Sequence, residues 1–173
     1  MNYALKIITL IIHKLYLPPN GNYELCIMNY ALTKMTIKQL SIFIENKAGT
    51  LTTVLDLLSK VGIQIIASTI ADTQEFGIYR VICAEPSKAY KVLRTANISV
   101  QLTDVLAVQI DDKPGAAANV IDIFSKNDIN ISYMYSFLLK GKGVLVMRAV
   151  PADRANELLM LNKIGFITED DLK

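Results

Sequence analysis

The chain is poor in the residues that metal sites, disulfide frameworks and most catalytic centres require. Its 173 residues include two cysteines, one histidine and no tryptophan. Cys26 and Cys83 do not form a CxxC motif, so we expect reduced thiols in a cytoplasmic protein rather than a disulfide or a zinc site. The composition therefore predicts a protein with no metal and no cofactor.

Catalytic signatures are missing as well. The sequence contains no GxSxG, no HExxH and no GxxxxGK[ST] motif, and its one histidine is His13. Asp111 and Asp112 are adjacent acids that would point to opposite faces if a strand continued through them, so they are a poor acid–base pair. We interpret the chain as a protein that is not an enzyme.

Charge and hydropathy argue against two classes of partner. The chain has 18 Lys and Arg against 16 Asp and Glu, a net charge of +2, which gives no broad basic field for nucleic acid. The apolar run 7–12 is interrupted by His13 and Lys14 and is far too short to span a membrane or to serve as a secretion signal. We therefore expect neither a nucleic acid nor a membrane as partner.

An internal repeat organises the rest of the chain. Residues 44–65 read IENKAGTLTTVLDLLSKVGIQI and residues 110–131 read IDDKPGAAANVIDIFSKNDINI, with nine of 22 positions identical and no gap. Two similar domains are therefore predicted, at 35–103 and 104–173. A domain of this size buries only roughly 60% of its unfolded surface, so we expect each to depend on its twin or on a second chain, as in a homodimer.

Residues 1–34 belong to neither repeat. Met35 stands just before the first predicted strand, and MNYALTK from Met28 echoes the opening MNYALK. We expect a poorly packed extension or a start codon assigned too early, with a short anchor or packing strand as the alternative.

Each repeat has the same predicted order of elements. Alternating apolar residues predict strands, apolar residues at helical spacing predict one helix, and a proline starts a second helix. The order is β-α-β-β-α-β, an α+β ferredoxin-like arrangement built twice, with antiparallel sheets and helices on one face. The expected strands are 37–44, 63–70, IYRVICA and 98–102 in the first copy, and 105–110, 130–137, VLVMRAV and 166–168 in the second. Only about two residues separate the copies, so the sheets should lie side by side or pack face to face.

The turn before the first helix of each copy is the best candidate for a binding site. It reads Glu45–Gly49 in copy one and Asp111–Gly115 in copy two. Free N–H groups and the positive end of the helix dipole favour a carboxylate there, and Asn46 or Asp112 could accept hydrogen bonds from an ammonium group. The combination suits an amino-acid zwitterion.

The chain contains a strand, then the motif [ND]-x-[PA]-G, then a helix and the motif G-[IV]-[NQ]-I. This order resembles the ACT domain, a regulatory module that binds small ligands, usually amino acids. The resemblance covers about residues 36–172, and the regulatory domains of phosphoglycerate dehydrogenase are similar. It implies one site that pairs Asn46 with Asn130 and a reciprocal site that pairs Asp112 with Gln64. The chain departs from the family at Ala48, where proline is usual, and at Ile44, where histidine is usual.

The expected ligand-binding residues are those of the two turns and of the starts of the second strands. Other interpretations are open: the glycines satisfy a turn, Asn130 and Gln64 cap strand ends, and the two lysines are solvated. Tyr133 and Tyr135 are expected to be core and interface aromatics rather than ligand contacts. The full set is Asn46, Lys47, Ala48, Gly49, Thr50, Leu51, Gln64, Asp112, Lys113, Pro114, Gly115, Ala116, Ala117 and Asn130.

Three functions fit this pattern. The chain is a free-standing amino-acid sensor that signals through its assembly or a partner enzyme, a regulatory subunit that docks an enzyme of amino-acid metabolism, or a scaffold without a ligand. We take the first as the prediction.

Overall fold

The computed structural model describes residues 35–72 and 75–172, and the expectations for residues 1–34 lie outside this part. Met35–Lys173 forms a compact unit of its own. The strands are β1 Thr36–Glu45, β2 Ile65–Asp72, β3 Phe76–Cys83, β4 Val100–Ile110, β5 Asn130–Leu139 and β6 Lys142–Val150. The helices are α1 Thr50–Lys60, α2 Pro86–Thr95, α3 Ala116–Ser125 and α4 Ala152–Leu161, and a 3-10 helix spans Glu169–Leu172.

The helices form where apolar periodicity predicts them. Val54 and Leu58 of α1 are buried one turn apart, and Val120 and Phe124 repeat this spacing in α3. Pro86 occupies the first turn of α2, where a missing N–H costs no intrahelical hydrogen bond. These predictions are confirmed.

The six strands form one antiparallel sheet in the order β2-β3-β1-β4-β6-β5. Strand β4 serves both copies. Its residues Val100–Leu106 pair with β1 and Leu106–Ile110 pair with β6. The two copies are therefore joined side by side by a shared strand.

The prediction of a short junction between two separate strands is wrong. Thr103 and Asp104 pair with Gln39 and Lys38 inside the ladder, and Lys38 Nζ lies 2.6 Å from Asp104 Oδ1. Two adjacent polar residues interrupt the apolar pattern, so they suggest the end of a strand. Here the strand continues through them because β1 supplies hydrogen-bond partners for their backbone. The domain boundary at 103/104, which stays a prediction, falls within β4.

The helices cover one face of the sheet. Under α1 and α2 lie buried β-strand residues such as Leu40, Ile42 and Val100. Because side chains alternate along a strand, Leu106 and Val108 of β4 share the face of Val100, and both are buried in the second copy. The expected arrangement of helices is confirmed.

The face without helices is folded on itself. Strands β3 and β5 are four positions apart, about 19 Å in a flat sheet, yet Arg80 Cζ of β3 lies 4.0 Å from the ring centroid of Tyr133 on β5. A single apolar cluster joins Ala67 and Ile82 of copy one to Val144 of copy two, with Tyr133 and Tyr135 against it. The copies therefore pack face to face as well as side by side.

The last predicted strand of copy two is reduced to one bridge, Phe166 to Val108. Asp171 accounts for the change, because its Oδ2 accepts hydrogen bonds from Thr168 N at 2.8 Å and Thr168 Oγ1 at 2.7 Å and turns the chain into the 3-10 helix. These hydrogen bonds, the backbone one first, lower the pKa of Asp171. Leu172 then enters the cluster between the copies.

Candidate functional site

The turn between β1 and α1 is an exposed, tightly hydrogen-bonded loop. Asn46 N donates to Glu75 O at 3.0 Å, and Lys47 N donates to Glu45 O at 2.8 Å. Gly49 precedes the helix with φ of 91°, in the left-handed region that favours glycine. Thr50 Oγ1 donates to Lys47 O at 2.9 Å, which closes the turn.

The turn between β4 and α3 repeats this geometry. Lys113 N donates to Asp111 O at 2.9 Å, Asn119 N donates to Gly115 O at 3.1 Å, and Gly115 has φ of 85°. Pro114 and Ala48 are exposed at matching positions. Two helix N-termini of the same form are therefore presented to solvent.

The remaining expected residues of the turns differ in exposure. Leu51 is half-buried and packs against the cluster under α1 and α2. Ala116 and Ala117 are half-buried at the start of α3, whereas Asp112 is exposed. The exposed part of each turn therefore combines an Asn or Asp, a lysine, an Ala or Pro and a glycine.

Lys47 and Lys113 each form an ion pair with an acidic residue two positions earlier in the chain. Lys47 Nζ lies 2.6 Å from Glu45 Oε2, and Lys113 Nζ lies 2.6 Å from Asp111 Oδ2. The hydrogen bonds from the lysines lower the pKa values of Glu45 and Asp111. Since all four side chains are largely exposed, these pairs contribute little to stability, in line with their interpretation as solvated charges.

The strand registers place the expected residues at the two ends and in the middle of the sheet. Asn46 follows β1 at the end where β4 begins, because Ile42 pairs with Val100. Asn130 opens β5 opposite Val150, the last residue of β6, which runs towards that same end. Continuing these registers sets Val150, and with it Asn130, level with Thr103 of β4 and Gln39 of β1, seven residues before Asn46. Asn46 therefore lies at one end of the sheet, whereas Asn130 lies near its middle.

The reciprocal pair is arranged in the same way. Asp112 stands two residues after the end of β4, at the other end of the sheet, whereas Gln64 precedes Ile65, whose partner Cys83 is level with Lys38 near the middle. Gln64 lines an open groove of about 460 Å³ beside α1. Its Nε2 donates to Ile65 O at 3.1 Å, so the side chain also caps the start of its strand.

Gln39 is the polar residue of this region that the sequence did not single out. It is fully buried on β1, and its side chain contacts both Tyr133 and Tyr135 of β5. Tyr133 and Tyr135 are therefore interface aromatics, as predicted. The one available signal was a glutamine within an otherwise apolar strand, IKQLSIFI.

Metal and membrane features are absent from the described residues. Within 35–72 and 75–172, no group of three or more His, Cys, Asp or Glu could hold a metal ion. No helix in the same part of the chain is long and apolar enough to cross a membrane. Burial raises the pKa of the Cys83 thiol to about 11, so this cysteine is largely protonated at neutral pH.

The two turn glycines give a direct test of the turn geometry. Gly49→Ala and Gly115→Ala should each lower the unfolding free energy by about 1–2 kcal/mol, because an L-residue at positive φ is strained. An added Cβ would meet nothing within 4 Å at either position, so the whole effect comes from the backbone. Urea denaturation measures it.

Gly165→Ala is the matched control, since its φ is not positive and the new Cβ would make ordinary contact with Gln109 at 3.5 Å. A loss at Gly165 equal to that at Gly49 would contradict the assignment of strain to the turns.

Alkaline titration tests the buried tyrosine. Burial raises the pKa of Tyr135 above its ordinary value of 10.0. The stability that its neutral hydroxyl contributes is present below about pH 10 and is lost as pH rises further, because the folded state resists ionisation. The difference in urea midpoint between the parent and Tyr135→Phe should therefore shrink above about pH 10. A constant difference would show that Tyr135 ionises equally in both states.

The fold and the repeated turns define the class of this protein. Residues 35–173 match the family described as ACT domain pair, and the chain belongs to that family.

Solved structures show the same fold. Protein BT0572 from Bacteroides thetaiotaomicron is 40% identical, with a TM-score of 0.76 over 80% of this chain and 96% of that chain. The ligand-free regulatory subunit of aspartate kinase from Thermus thermophilus is 15% identical, with a TM-score of 0.51 over 73% of this chain and 92% of that chain, which is a likeness of fold. No curated protein matches the chain.

Proposed function

We propose that this protein is a non-catalytic regulator that binds a small amino acid between its two ACT domains. The ligand carboxylate contacts the N–H groups at the start of α1, and its ammonium group contacts the side chains of Asn46 and Asn130. The observation that supports this most is the repetition of one exposed helix-opening turn, with φ of 91° and 85° at its glycine. Both turns also carry an Asn or Asp in the same register, whose side-chain oxygen can accept hydrogen bonds from an ammonium group.

Face-to-face packing supports the pairing of the residues. Asn46 and Asn130 come from different copies, and the strands β1 and β5 that carry them are in contact through Gln39 and Tyr133. The first site is thus divided between the copies, and binding would stabilise their contact. This gives a physical route from ligand to assembly.

The two sites should differ in strength. At the reciprocal site, Asp112 replaces an asparagine and Gln64 caps its own strand. A carboxylate so close to the helix N-terminus competes with the ligand carboxylate for the same positive potential. We therefore propose that the Asn46 site is the stronger of the two.

A screen of the twenty amino acids by thermal shift tests the proposal. A ligand at 100 times its dissociation constant adds about 2.7 kcal/mol of stability, which raises the melting temperature by about 5–10 °C for a unit of this size. Isothermal titration calorimetry on the best ligand then gives affinity and stoichiometry. If none of the twenty raises the melting temperature, the proposed function is wrong.

The signal should pass through assembly or a partner enzyme. The Thermus thermophilus protein is described as a regulatory subunit of aspartate kinase, and a comparable role for this chain is part of the proposal. We expect at least a homodimer, of about twice 19.2 kDa, by light scattering. A mass of one chain at micromolar concentration, with and without ligand, would contradict signalling through self-assembly and leave capture of an enzyme from the native host as the test.

A further inference from the structure

A buried polar cluster joins the two copies across the face without helices. Gln39 of β1 is fully buried, although the cluster around it is apolar. Its Nε2 donates to Tyr133 Oη at 2.8 Å and to Ser41 Oγ at 3.1 Å, and its Oε1 accepts from Tyr135 Oη at 3.0 Å. Both polar atoms of one glutamine are therefore satisfied, and two of the three partners belong to the other copy.

Arg80 adds to this cluster. Its guanidinium lies over the Tyr133 ring, with Cζ 4.0 Å from the centroid, and its Nε is buried without a hydrogen-bond partner in the described part of the chain. The attraction between the guanidinium charge and the ring face stabilises this contact, although it provides no acceptor for Nε. Strands β1 and β3 both hold Tyr133 of β5.

Such a cluster specifies one arrangement of the two faces. Apolar side chains tolerate small sliding movements, because the area they bury changes little. Hydrogen bonds do not, since a shift of β5 along β1 would leave Gln39 and two hydroxyls unsatisfied, at about 1–3 kcal/mol for each buried group. The cluster therefore fixes the position of β5 relative to β1, and it contributes less to the apolar area that the two strands bury.

The strands that it holds are those that carry the first site. Asn46 follows the C-terminal end of β1, and Asn130 begins β5 three residues before Tyr133. We propose that Gln39 and Tyr133 are positioning residues, which fix the spacing between Asn46 and Asn130 and so couple amino-acid binding to the packing of the two copies. This inference rests on the amino-acid site proposed above. Strands β2 and β4, which lead from Gln64 and to Asp112, make no hydrogen bond to the side chain of Gln39 among those described, so the second site is affected less.

Three variants distinguish an effect on the relative position of the two copies from an effect on folding stability. Gln39→Leu keeps the size of the side chain and removes its polar atoms, and Tyr133→Phe keeps the ring under Arg80 and removes the hydroxyl. Tyr90→Phe is the control, because Tyr90 is a half-buried tyrosine on α2, outside the cluster. Binding is measured well below the melting temperature, where a purely stabilising residue leaves the dissociation constant unchanged.

Two measurements on the full chain decide the outcome. The first is the distance distribution between spin labels at Thr52→Cys on α1 and Asn119→Cys on α3, both exposed, in a Cys26→Ser background diluted with unlabelled chain. The second is calorimetric affinity for the amino acid found in the screen. We expect Gln39→Leu and Tyr133→Phe to broaden or shift the distribution and to weaken binding at the first site about three- to tenfold, with Tyr90→Phe like the parent.

Parent-like distances in both variants would overturn the proposal, even if binding weakened. Altered distances with unchanged affinity would also overturn it, because orientation and binding would then be independent. A parent that binds none of the twenty amino acids would refute the proposed function instead, and the distances alone would then decide whether Gln39 and Tyr133 set the orientation of the copies.

Discussion

Asn46→Ala and Asn130→Ala should each weaken binding of the amino acid at the first site by roughly ten- to more than a hundredfold. Each change removes a hydrogen-bond acceptor from a charged ammonium group that has lost its water, which costs about 1.5–3 kcal/mol. Because both residues act on one ligand, the double variant should lose less than the sum of the single losses. Calorimetric titration of the parent, the two single variants and the double variant measures these losses in binding free energy.

Asp112→Ala is the control for this experiment, because Asp112 lies towards the opposite end of the sheet in a turn of the same form. It should leave the first site unchanged. Additive losses for Asn46→Ala and Asn130→Ala would argue against a shared ligand, and unchanged affinity in both would remove the site.

The local parts of the fold could be predicted because local rules determine them. Gly49 and Gly115 adopt positive φ at the turns where the repeat places a glycine before a helix. Pro86 starts α2, and Val54, Leu58, Val120 and Phe124 are buried at helical spacing. Each of these features depends only on residues close by in the chain, so it can be predicted from a single sequence.

The long-range parts could not be predicted in the same way. Gln39 looks like an exposed polar residue in an alternating strand, and it is buried only because the bend of the sheet brings β5 over β1. The continuity of β4 through Thr103 and Asp104 depends on hydrogen-bond partners on β1, more than 60 positions earlier. The division of the expected site between the copies comes from the family resemblance and stays a prediction, because no local pattern records it.

Strand β4 should also make the two copies unfold together. Leu106 is almost fully buried and stands where β4 changes partner, paired with Thr36 of β1 and with Met147 of β6. Leu106→Ala should lower the unfolding free energy by about 2–5 kcal/mol, as for other buried leucines. Since the lost contacts belong to both halves of the sheet, the transition should remain a single one, with a lower midpoint and an unchanged slope in urea.

Leu161→Ala is the control for this last change, because Leu161 ends α4 with 71% of its surface exposed and its loss should stay within about 0.5 kcal/mol. Residue-level hydrogen exchange or NMR in urea would follow both copies at once. If β2 and β3 lost protection at a lower urea concentration than β5 and β6, the copies would be independent folding units that merely share an edge. A common midpoint would mean that the stability gained from an amino acid in one site is felt by the whole pair, which is what a regulator built from two small domains requires.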